Sequence, residues 1–202
     1  MRFGLLLPLA LLATPALSDP YEGSGYLLGC NDEMCGVWSA GVVLLVAKDG
    51  PTPAAILDAL QGMDPLSAVQ LSAELGEMGD MTVSAALTAL ARVTDDPYEE
   101  TLRFIQGEWR PRGEESPFSI RIDGLEWTEM GAEGSGDAFL ISPGATCADG
   151  VEPGGIALSL VMIGGDPEEA ACWQIDYATE TELDLTRVGS GEGSIAFDRV
   201  TD

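Results

Sequence analysis

The feature that most limits what this chain can become is an apolar alternation of period two that begins near residue 107 and continues to the C-terminus. Phe118, Ile120 and Ile122 alternate with Ser119, Arg121 and Asp123, and a strand sends successive side chains to opposite faces. GEWR, LEWTEM, DAFLIS, GIALSLVMI, CWQIDYA, ELDLTRV and SIAFDRV obey the same rule, so with the Phe118 stretch there are eight short segments. Turns such as GAEGSG, GGDPEE and GSGEG separate them, which reads as antiparallel strands and not as helices. Such a run is expected to close as an up-and-down barrel, because closure leaves no strand edge unpaired.

The first half reads differently. It is rich in Ala, Leu and Met, and Thr52-Pro53, Asp64-Pro65 and Asp96-Pro97 each set a capping residue before a proline at the first helical position. TPAAILDALQG places Ile56, Leu57 and Leu60 on one helical face. DPLSAVQLSAELGEMG is expected to form a second helix through Leu66, Val69, Leu71 and Leu75, and residues 82 to 93 a third through Val83, Ala86, Leu87, Leu90 and Ala91. The valines at 37 to 48 suit a strand, but Lys48, Gly50 and Pro51 resemble a helix ending and tip that stretch towards helix. The expected fold class is therefore α+β: a mainly helical region at 19–95 packed on an eight-stranded antiparallel barrel at 96–202.

The N-terminus, MRFGLLLPLALLATPALS, has one Arg, an apolar run and small residues ending at Ser18, the pattern of a cleaved signal peptide over residues 1–18. That run is shorter than the roughly 20 residues a membrane span needs, so no span is expected after cleavage. An exported chain with four cysteines should carry two disulfides. Cys30 lies close to Cys35 in GCNDEMCG, while Cys147 and Cys172 belong to the β region, so the expected bridges are Cys30–Cys35 and Cys147–Cys172. With 34 acidic and 9 basic side chains the formal charge is −25. Such a surface repels phosphate backbones, so nucleic acid is excluded as a partner. The acids are dispersed along the chain, as in a solvated coat that keeps an exported protein soluble.

Gly107-Glu108-Trp109 at the first barrel strand, the later pair Asp176-Tyr177 and Arg199 on the last strand make residues 96–202 similar to the lipocalin-like (calycin) barrels. That resemblance implies that Trp109 plugs the closed end of the barrel and that Arg199 packs across it. Parity agrees, because Ile195, Phe197 and Arg199 share one face of their strand, and a guanidinium over an indole is favourable where one without a partner is costly. The same parity points Phe118, Trp127, Phe139, Trp173, Tyr177 and Phe197 inward. Eight strands enclose a space that side chains either fill or leave open for one small ligand. A filled interior is the expected outcome; if a pocket exists, Trp127, Trp173 and Tyr177 are the candidate ligand-binding residues.

There is no histidine in the chain. That removes Ser/His/Asp and Cys/His nucleophiles and any His-based metal site. No nucleophile elbow, Walker loop or dinucleotide fingerprint is present, and GSGEG at 189–193 falls between two strands as a hairpin turn. What remains for catalysis is a carboxylate pair drawn from Glu108, Glu126, Glu129 and Asp137 near the barrel rims. No catalytic residue, metal or cofactor is expected. The functional expectation is an exported, non-catalytic binding or interaction module of a Gram-negative periplasm or envelope, engaging an unidentified protein or envelope component. The alternatives are a lipocalin-like carrier of a small apolar ligand and a carboxylate-pair hydrolase. An interaction module would offer an apolar patch around Met63, Met78 and Met81.

Overall fold

A computed structural model describes residues 20–113, 117–132, 134–147, 150–163, 171–189 and 193–201; the signal-peptide expectation for 1–18 lies outside them. Every predicted C-terminal strand is present: Gly107–Pro111 (β6), Ser119–Asp123 (β7), Glu126–Gly131 (β8), Gly134–Gly144 (β9), Ile156–Met162 (β10), Ala171–Ala178 (β11), Glu182–Arg187 (β12) and Ser194–Arg199 (β13). Each pairs antiparallel with its sequence neighbour, and β13 closes on β6 through Arg199 opposite Trp109. The result is a closed eight-stranded barrel, built around Trp109, Ile120, Ile122, Trp127, Ile141, Leu158, Leu185 and Phe197, all buried.

The N-terminal half corrects the expected fold class: it is a second β-barrel and not a helical region. Tyr21–Cys30 (β1), Met34–Ser39 (β2), Val42–Ala47 (β3), Ala68–Met78 (β4) and Thr82–Arg92 (β5) close in the order β1-β2-β3-β5-β4. β3 pairs with β5 in parallel, and all other pairs are antiparallel. With the helix Ala54–Gln61 (α1) between β3 and β4, this is the Greek-key arrangement of the OB-fold barrel. Only α1 survives from the expected N-terminal helices, and it tucks Leu57 and Leu60 into this barrel.

The physical reasons are local. At Asp64-Pro65 the chain turns, with Leu66 at a φ of 65° and the Ser67 amide donating to the Asp64 carbonyl (3.1 Å), so no helix starts there. Beyond it, burial alternates: Val69, Leu71 and Ala73 face the core while Gln70 is exposed. Likewise Val83, Ala85 and Leu87 are buried between exposed Ser84 and half-buried Ala86. Alanine and leucine favour helix only weakly, and cross-strand burial overrides that preference. The 37–48 stretch is a hairpin that buries Val37, Leu44 and Val46 in the barrel core and turns at Ala40-Gly41.

The barrels are joined by a short segment and the helix Glu99–Phe104 (α2). Asp96 Oδ1 accepts the amides of Tyr98 and Glu99 (both 2.9 Å), which turns the chain into α2 where Asp96-Pro97 suggested a start. The same carboxylate accepts the Tyr26 hydroxyl of β1 at 3.1 Å. Glu99 reaches back to accept the Ala68 amide (3.0 Å) and the Arg92 guanidinium (2.5 and 2.7 Å). Beneath these contacts Tyr26, Trp38, Leu66 and Ala68 belong to the same buried apolar cluster as the core of the eight-stranded barrel. The part of the outer face of β1 and β2 around Tyr26 and Trp38 is thus covered by the eight-stranded barrel.

Candidate functional site

The barrel floor is built as the parity argument required. Trp109 is fully buried, its indole N–H donates to the Ile105 carbonyl at 2.7 Å, and the Arg199 guanidinium lies 4.3 Å from its ring centroid. Arg199 also donates to the carbonyls of Phe104, Gln106 and Glu180, tying α2 and the β11–β12 turn to the end of β13. Gly107 has a φ of 114°, and a Cβ there would come within 2.6 Å of Arg199 Nη1. The glycine of the Gly-x-Trp triplet is therefore required both by its backbone and by the arginine beside it.

The interior holds two of the three candidate ligand residues. Trp127 lies opposite Ile122 and Phe139 and is 2% exposed. Trp173, opposite Leu158, is half-buried on the same inner surface. Tyr177 is not there. The β11–β12 register slips between Ile175 and Tyr177, so Tyr177 comes to lie opposite Asp184, and it is 50% exposed. An extra residue in one strand reverses the facing of the residues beyond it. Asp176 sits at that bulge and accepts Gln174 Nε2 and the Thr186 hydroxyl, both at 2.6 Å. Of the other inward candidates, Phe197 is buried and Phe118 and Phe139 are half-buried.

Two polar groups complete the inner face. The Trp127 indole N–H is buried and has no hydrogen-bond partner among the described residues, an unusual state for a buried donor, which normally finds an acceptor. Two residues along β8, about 7 Å away, Glu129 lies opposite fully buried Ile120 and so faces inward. Burial, and then the charge of Asp137, raise the Glu129 carboxyl above its ordinary range. Glu129 and Asp137 were legible only as members of a set of rim carboxylates. Of the rest, Glu108 accepts Ser119 Oγ at 3.1 Å and pairs with Arg110 at 3.4 Å, and Glu126 accepts Thr128 Oγ1 at 3.1 Å. Among the described residues the inner face thus offers one free donor and one carboxyl that holds its proton to higher pH than usual, set among apolar rings.

Both disulfides form as expected. Cys30–Cys35 joins directly opposed residues of the β1–β2 hairpin, and Cys147–Cys172 straps the loop after β9 onto the outside of β11, packing on Ala157. They suit an oxidising, extracytoplasmic compartment. Among the described residues no helix is long and apolar enough to cross a membrane.

The fold and inner face define a two-barrel β protein whose second barrel is a closed eight-stranded cylinder with an indole floor. No protein-family model matches the chain, and no curated protein or solved structure matches it either.

Proposed function

We propose that this chain is a non-catalytic binding module of an extracytoplasmic envelope compartment, and that it binds a small, largely apolar ligand inside the eight-stranded barrel. The observation that carries this reading is the buried Trp127 indole N–H on the inner face, which has no partner among the described residues. A ligand acceptor would satisfy it, and the protonatable carboxyl of Glu129 would take a second polar group. Phe139 and Trp173 would flank the apolar body. The up-and-down strand order and the Arg199–Trp109 floor agree with a lipocalin-like barrel, a family resemblance that supports the same mode.

The test is a titration with Nile red, a neutral apolar dye, alongside native mass spectrometry of protein isolated from an oxidising compartment. Saturable dye binding that weakens severalfold in Trp127→Phe, and a co-purifying small molecule in the wild type, are expected. Absence of both would overturn the reading.

A protein or envelope partner is the second mode. Leu75, 38% exposed, lines a groove of about 290 Å³ together with Leu45, Ala47, Ala85 and Ala86, and Met78 at the end of the same strand is 77% exposed. Met63 and Met81 are half-buried, so of the three methionines Met78 alone stands well out from the surface. If this mode operates, a specific partner captured by the wild type is lost with Met78→Glu.

A further inference from the structure

Where the two barrels meet they leave a cleft of about 320 Å³, separate from the barrel interior. Three parts of the fold line it: Tyr26 and Trp38 on the outer face of the five-stranded barrel, Asp96 and Tyr98 in the connecting segment, and Ser142 and Pro143 on β9. We propose that this cleft binds a small organic ammonium ion held by the Asp96 carboxylate against the Tyr98 ring.

Three aromatic residues and one carboxylate, and no basic residue, line the cleft; Tyr98 is half-buried, while Tyr26 and Trp38 are buried beneath it. A cation over a phenol face is attracted by the ring quadrupole, and more strongly where water is displaced. Asp96 can still accept. Its Oδ1 already takes two amides and the Tyr26 hydroxyl, whereas Oδ2 has only a long 3.3 Å contact from that same hydroxyl. Burial first, and then the Asp96 charge, push the Tyr26 phenol upward, so it stays a neutral donor beside the carboxylate. The Arg92 guanidinium is bound to Glu99 through both Nη atoms and so does not compete for Asp96. The chain's charge of −25 concentrates cations at its surface.

A bare metal ion is a poorer occupant. Among the described residues no three Asp, Glu, Cys or His side chains are grouped to hold one, and hard divalent cations take six or more oxygens. The volume is at the small end of ligand sites, which suits an ion of choline size.

The experiment uses the disulfide-bonded chain titrated with choline chloride, followed by tryptophan fluorescence and thermal shift. 3,3-Dimethylbutan-1-ol, the uncharged carbon analogue, and equimolar KCl serve as controls. Saturable binding of choline is expected, weakened about tenfold or more in the uncharged analogue, corresponding to about 1.4 kcal/mol. KCl should give no saturable change. Asp96→Asn and Tyr98→Ala should each weaken choline binding by about the same factor, with folding checked by far-ultraviolet circular dichroism. Because Asp96 also shapes the turn into α2, Tyr98→Ala and the uncharged analogue keep the test decisive if Asp96→Asn fails to fold. Equal binding of the uncharged analogue, no saturation beyond that seen with KCl, or a folded Tyr98→Ala that binds choline as the wild type does would each overturn the proposal.

Discussion

At the closed end of the eight-stranded barrel, one guanidinium covers an indole and satisfies three backbone carbonyls from two different segments. Replacing Arg199 by Ala removes the stacked cation and leaves those carbonyls to water. A loss of about 1 to 3 kcal/mol is expected, read from urea denaturation. Gly107→Ala forces a side chain into a left-handed backbone and against the same guanidinium, and should cost about 2 kcal/mol by itself. In the Arg199→Ala background Gly107→Ala should cost less, since one of its two penalties has gone, and a double-mutant cycle checks this. Tyr177→Ala, on the outer face, should stay within about 0.5 kcal/mol of the wild type in the same assay. The floor was legible because parity along one strand and a Gly-x-Trp triplet both point to it. Tyr177 was not, because a single-residue bulge leaves no signature in the alternation that precedes it.

Between elements, the Arg92–Glu99 ion pair fastens α2 to β5. Hydrogen bonding to Arg92, then to the Ala68 amide and Arg103, holds the Glu99 carboxyl at about 2, below its ordinary 4.5. A carboxyl depressed in the folded state stabilises fully above its unfolded value and loses that contribution as pH falls towards the folded one. Denaturation midpoints should therefore drop between about pH 4.5 and pH 2, and Glu99→Gln should flatten that part of the profile. A profile unchanged by the substitution would mean that the clamp contributes nothing. The two disulfides should also differ. Cys147–Cys172 spans 25 residues and Cys30–Cys35 only 5. The chain-entropy argument gives about 3.5 against about 2 kcal/mol, so the double serine variant of the longer bridge should be the less stable. Each of the eight C-terminal strands could be read from its alternation and its flanking glycines. The N-terminal strands could not. Val69, Leu71 and Leu75 satisfy parts of both periods, and alanines that look helical serve equally well as small inner-face residues of a narrow barrel.

For the whole molecule, the continuous apolar cluster through Tyr26, Trp38, Leu102, Trp109 and Trp127 predicts that the barrels unfold together. Circular dichroism and tryptophan fluorescence should give one coincident transition, and two separated transitions would show that the seam is weak. Acidic composition, the number of cysteines, the absence of histidine and the C-terminal period were settled by the amino-acid sequence alone, since each depends on residue identity or on spacing within a few positions. The N-terminal barrel, the cysteine pairing, the outward turn of Tyr177, the Trp127 N–H that has no partner among the described residues and the cleft at the seam were decided by the tertiary structure. Each of these depends on which residues become neighbours in space, and short-range periodicity carries little information about that. The N-terminal half folds as strands because burial against partners tens of residues away outweighs a helix preference worth only tenths of a kcal/mol per residue.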